Sequence, residues 1–168
     1  MNRVNEAETE PHMKSSRRNP RFLFPAVLSI MSVLLLASCG EKDEDGNEFM
    51  NPGDNCLSCH GAGGKAAGEA QFTLAGTVFP SATSATNQGL EGVSIEVTDS
   101  SGKKISLKSN RVGNFFTSES VSYPLKAVKV SKDGKEASMG TQVSSGGCAG
   151  CHAQPASGGA PGRVYLSL

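Results

Sequence analysis

Four of the five cysteines fall into two copies of one pentapeptide, Cys56-Leu57-Ser58-Cys59-His60 and Cys148-Ala149-Gly150-Cys151-His152. Two thiols three positions apart project from one side of a helical turn, and the next residue brings an imidazole beside them. This is the spacing of c-type haem attachment: the thiols reach the two vinyl groups of one porphyrin, and the imidazole reaches its iron. Small intervening residues (Ser58, Ala149, Gly150) let the backbone approach the macrocycle edge. The expectation is two covalent haems c, held by Cys56, Cys59 and His60 and by Cys148, Cys151 and His152.

Other uses of these cysteines remain open. In an oxidising compartment they could form two disulfides. They could make a four-cysteine zinc site, which leaves both following histidines unexplained. A thioredoxin-like redox pair would need a βαβ context that neither motif has.

The fifth cysteine closes an apolar run. Arg17, Arg18 and Arg21 precede the stretch from Phe22 to Ala37, which is short for a membrane span of about 20 residues and is interrupted by Pro25. A basic start, a short apolar middle and small residues at the end make a secretory signal over residues 1–38. Residues 1–12 are acidic and polar (Glu6, Glu8, Glu10), so Met13 is the better start. The Arg17-Arg18 pair is read as a plain basic region, because Asn19-Pro20-Arg21 separates it from Phe22.

Leu36-Ala37-Ser38-Cys39 resembles the lipobox of bacterial lipoproteins. The resemblance implies cleavage before Cys39, a diacylglyceryl group on its sulfur and an acylated new N-terminus. Several acyl chains hold a protein on a bilayer where one does not. Gly40 follows instead of Asp, which by the same resemblance favours the outer membrane, facing the periplasm or the cell surface. Residues 39–55 then form a charged tether, with Glu41 to Glu48 flexible. An export signal fits the haem expectation, since c-type haem is attached to an unfolded chain after export.

Between the motifs the chain reads as strands and turns. Residues 56–68 carry the first motif and a Gly/Ala-rich linker. Across 69–143, strands are predicted at Phe72–Phe79, Gly92–Thr98, Lys104–Ser109, Phe115–Phe116 and Tyr123–Val130. Val93, Ile95 and Val97 alternate on one face, as do Ile105 and Leu107. Asp99-Ser100-Ser101-Gly102 and Lys132-Asp133-Gly134 carry turn chemistry. No segment has convincing helical periodicity. Residues 144–168 hold the second motif and, at Arg163–Leu168, a closing strand. The fold class is therefore mostly β: a small antiparallel β-sandwich flanked by two loop-borne haem motifs, after a cleaved signal peptide.

The run Ala75-Gly76-Thr77-Val78, then Gly89 through Val97, then Ser109-Asn110-Arg111-Val112-Gly113-Asn114-Phe115 resembles carboxypeptidase regulatory-like (prealbumin-like) domains. It covers roughly residues 72–130 and departs at Ser109, where that family usually has Thr. Such domains are usually non-catalytic scaffolds, so the resemblance points to structure or partner binding. With both motifs outside the β unit, the chain is not the compact helical cytochrome in which the motif begins a bundle. The whole is similar to a bacterial di-haem c-type cytochrome lipoprotein, its haems packed against the sandwich and each other.

Composition narrows function by exclusion. Five of the 16 basic and three of the 16 acidic residues precede Cys39, leaving 11 against 13, so no basic nucleic-acid surface is expected. Aromatics are 5% of the chain and Trp is absent, so the core is thin and an added cofactor would help it. Electron transfer is the leading function, with membrane lipid and redox proteins as partners and no catalytic residues. The alternatives are a haem sensor or accessory subunit with an open iron site, and a non-haem β-sandwich interaction lipoprotein. After cleavage at Cys39 only His60 and His152 remain, so Met50 and Met139 are the candidate second iron ligands.

Overall fold

The computed structural model describes residues 46–168. The expected signal peptide at 1–38, the expected start at Met13, Cys39 and the first part of the expected tether lie outside the described residues. Six strands follow one another: β1 (Leu74–Thr77), β2 (Ser94–Thr98), β3 (Lys104–Lys108), β4 (Asn114–Thr117), β5 (Ala127–Lys132) and β6 (Lys135–Ser138). One antiparallel sheet pairs β1 with β4, and the other has the order β3-β2-β5-β6, also antiparallel. Helix among the described residues amounts to one turn, α1 (Leu57–His60), and a 3-10 turn at Cys148–Gly150. The chain is mostly β, with two antiparallel sheets around one core, consistent with a small β-sandwich.

Strand β2 shows why the larger sheet forms. Ile95 and Val97 are buried while Glu96 between them faces out, the period-two pattern of a half-buried strand. In register, Ile95 lies opposite Leu107 and Val130, and Val97 opposite Ile105 and Val128. A one-residue slip would turn every one of these side chains to the other face, so burial fixes the register. Leu74, Val78, Val93, Phe115, Leu125 and Leu166 complete the core with them. Burying each such side chain stabilises the fold by roughly 1.5–3 kcal/mol.

Turns join the strands through side-chain and backbone chemistry. Asp99 Oδ1 accepts from the backbone N–H groups of Ser101 and Lys103, both at 2.9 Å, and closes the β2–β3 hairpin. Asp133 and Gly134 both have positive φ, +49° and +76°, which matches the twist of the two-residue β5–β6 hairpin. Strand β6 was not expected, because Lys135-Glu136-Ala137-Ser138 is a polar edge with one apolar residue. The segment expected as a strand from Tyr123 pairs with β2 only from Ala127. Before that, Pro124 has no N–H to give, and Leu125 donates instead to the Val143 carbonyl at 2.8 Å.

The two ends of the described chain are fastened to this frame. Phe79 N–H donates to Val164 O and Leu166 N–H to Phe79 O, both 2.9 Å, so the C-terminal segment joins as a short parallel bridge. At the other end, Asn114 Nδ2 donates to Met50 O at 2.9 Å and to Glu48 O at 3.2 Å. The Arg111 guanidinium sits 3.7 Å from the Phe49 ring centroid. Glu48 to Met50, in the segment expected as tether, therefore lie against the β3–β4 loop and the start of β4.

Candidate functional site

Both pentapeptides form the turn their spacing predicts. In the first, Cys59 N–H (3.2 Å) and His60 N–H (2.8 Å) both point to the Cys56 carbonyl. In the second, Cys151 N–H (3.2 Å) and His152 N–H (2.9 Å) point to the Cys148 carbonyl in the same way. The loop after each motif folds back on it. Ala66 N–H donates to Cys59 O and Ser157 N–H to Cys151 O, each at 2.9 Å.

The histidines are held alike. His60 Nδ1 lies 2.8 Å from the Ala70 carbonyl oxygen, and His152 Nδ1 lies 2.7 Å from that of Gly162, ten residues downstream in both cases. A carbonyl only accepts, so Nδ1 is the donor in each ring and Nε2 is the nitrogen not used in this bond. That donor and that partner are what a metal-binding imidazole uses to fix its orientation. His60 also stacks on Phe72 (centroids 4.8 Å apart), which stacks on Phe116 (4.5 Å).

The two motifs, distant in sequence, adjoin. Asn55 packs on Gly147, where a Cβ would lie 2.5 Å from Asn55 Oδ1. Cys148 turns its side chain against β1 at Gly76. Burial, and then the charge of Cys56, push the Cys148 thiol up to about 12. Burial is also the main cause raising Cys56. Cys56 and Cys148 are free thiols and Cys151 is free and exposed, whereas Cys59 is disulfide-bonded. An open groove of about 350 Å³ runs beside the first motif, between Leu57, Gly61, Phe72 and Tyr123, and reaches Ser144–Gly146 just before the second.

Met50 is exposed (43%) on the docked segment before Cys56. Met139 is half-buried after β6, its N–H donating to Val128 O at 2.9 Å. Neither side chain is brought to a histidine by any hydrogen bond or core contact. Among the described residues no three His, Cys, Asp or Glu side chains cluster as a metal cage, and no helix is long and apolar enough to cross a membrane. Residue spacing had not singled out Ala70, Gly162, Asn55 or Phe72, because three of them act through a carbonyl or a close contact and Phe72 read as a strand residue. Comparison with family models, curated proteins and solved structures returns no match.

Proposed function

We propose that this chain is a membrane-anchored, exported di-haem c-type cytochrome that carries electrons. One observation carries the reading: the same histidine Nδ1 donor, locked by a carbonyl ten residues on, occurs in both copies of the pentapeptide. Structural cysteine pairs have no need of an oriented imidazole, and a haem iron does. The residues fit the group in donor set, since each turn supplies two cysteines on one side and one Nε2 outside that bond. When bound, haem supplies a one-electron Fe(III)/Fe(II) couple. The chain's own part is to fix the imidazoles, to hold the two sites side by side through Asn55 and Gly147, and to tie both to a rigid β frame.

The state of the thiols bears on when attachment occurs. Cys148 is packed against Gly76 with its proton firmly held, which favours attachment before the second motif docks on β1. On this reading the Cys59 disulfide is reduced by a dithiol of the exported compartment before the thioether forms. The second reading is a non-haem β-sandwich interaction lipoprotein with metal-bound cysteine pairs. Because Cys56, Cys148 and Cys151 are free, the Cys59 disulfide does not join the motif cysteines to one another, and two disulfides among them do not form.

Protein made in a host that matures c-type haem separates the two. The pyridine haemochrome spectrum and intact mass should report two haems per chain, and haem staining should persist on denaturing gels. Cys56→Ala with Cys148→Ala should abolish the stain. A chain with no Soret band, or a stain surviving the double change, overturns the cytochrome reading.

A further inference from the structure

One peptide unit carries the bond that holds His152. Its carbonyl, Gly162 O, lies 2.7 Å from His152 Nδ1, and its N–H, on Arg163, donates to Ala82 O at 3.0 Å. A peptide unit is planar, so fixing it at both ends fixes the direction of the carbonyl. Gln154, two residues past the histidine, donates through Nε2 to the same Ala82 oxygen. The turn that presents Ala82 is itself closed, with Ser84 Oγ accepting from Ser81 N–H at 3.0 Å.

The side chain of Arg163 continues from that peptide toward the other motif. It is buried, its Nε donates to Ser84 O at 2.7 Å, and its guanidinium lies 4.5 Å from the Phe79 ring centroid. Its Nη1 abuts Gly53, three residues before Cys56: a Cβ at Gly53 would run into Nη1 and lie 3.3 Å from Phe79 Cζ. On its other side Gly53 N–H donates to Thr77 Oγ1 of β1 at 2.9 Å. The entry to the first motif is thus held between β1 and Arg163. A guanidinium is a fixed planar fork, whereas lysine has one nitrogen and could not bond Ser84 and cover Gly53 and Phe79 together.

We propose that Arg163 is a positioning residue, a brace that sets the His60 and His152 centres in one mutual orientation. The proposal rests on the di-haem reading. Arg163 acts through the Gly162 peptide on one side and through Gly53 on the other. Asn55 against Gly147 joins the motifs just before their first cysteines, and a single contact leaves rotation about it free. Arg163 adds the second point of attachment that a fixed angle requires. Electron exchange between two haems falls steeply with the gap between them, so a constant gap keeps that exchange uniform from molecule to molecule. Without the brace each histidine keeps its own carbonyl bond and each motif its cysteines. Both haems then still load, and their relative placement varies.

Pulsed dipolar EPR of the fully oxidised holoprotein reads the iron–iron distance and tests this. Wild type should give one narrow distance. Arg163→Gln and Gly53→Ala, at opposite ends of the brace, should each keep two haems per chain and lose that single distance for a broad spread. Combined, they should spread it no further than either alone, because both break one link. An arginine that only adds stability would lower the melting temperature and leave the distance intact. A distance as narrow in folded Arg163→Gln as in wild type overturns the proposal. So does a narrow distance in Gly53→Ala, which decides the matter where Arg163→Gln fails to fold. Arg163→Gln should also leave the ferric g-values of each centre unchanged, read in Cys56→Ala/Cys59→Ala and in Cys148→Ala/Cys151→Ala protein. A shift at the His152 centre alone would make the effect local to that ligand and overturn the brace. Absence of haem from the wild type, read first by pyridine haemochrome, is a different result and removes the parent reading, and this proposal with it.

Discussion

Cys148 is seated against Gly76: a methyl group at position 76 would lie 2.8 Å from Cys148 Cβ and 2.8 Å from Phe115 Cζ. The second motif can close on strand β1 only because that strand has no side chain at this point. Gly76→Ala should therefore destabilise the protein by about 1–3 kcal/mol through overpacking. Thermal and denaturant unfolding measure it. A midpoint unchanged from wild type would mean that the motif yields without cost.

Asp99 predicts the acid limb of stability. Ser101 Oγ (2.6 Å) and the backbone N–H groups of Ser101, Lys103 and Ser122 all donate to its carboxylate. These bonds, Ser101's first, lower its pKa from 3.8 to about 2. A carboxylate with a depressed folded pKa contributes stability above its unfolded pKa and loses it as pH falls through the folded value. The melting temperature should thus drop between about pH 4 and pH 2. In Asp99→Asn that part of the profile should be flatter and the neutral-pH melting temperature lower. A profile of unchanged steepness would assign the acid limb to other groups.

The proposed second axial ligands rest on a count. On the di-haem reading, cleavage before Cys39 would leave only His60 and His152, each needed once, so Met50 and Met139 are the candidate sixth ligands. Ferric holoprotein should show the near-infrared charge-transfer band of His/Met haem, and Met50→Ala/Met139→Ala should lack it. High-spin wild-type protein that binds CO at both irons without displacing a ligand would point to an open-site sensor instead.

Lipid anchoring is tested at Cys39. Cys39→Ser should remain in the soluble fraction of cells that export it, while wild type follows the membranes. Equal membrane association and unaltered processing of both forms would remove the lipoprotein expectation.

Much of the β frame was legible because it rests on local alternation. Ile95/Val97 and Ile105/Leu107 identified β2 and β3, and Asp99 to Gly102 identified the turn between them. Strand β6 escaped, because a polar edge strand is defined by its partner β5 and not by its own pattern. The turn of each pentapeptide was legible too, since its spacing runs along one helical turn. What orients the histidines was not. The carbonyls of Ala70 and Gly162 belong to the backbone, which every residue possesses, so no residue type marks them. Arg163 reads in the sequence only as the start of a closing strand. Only its packing on Phe79 and Ser84 reveals the buried charge.

The clasp of Asn114 and Arg111 on Glu48, Phe49 and Met50 also sets a leash length. Eight residues, 40 to 47, would separate a lipidated Cys39 from Glu48, the first clasped position. Those nine steps, fully extended, reach at most about 32 Å, at roughly 3.6 Å per residue. Were Cys39 lipidated as proposed, the β3–β4 loop would stay within that radius of the lipid headgroups. If the proposed anchor and electron transfer both hold, a redox partner would have to come to the membrane surface.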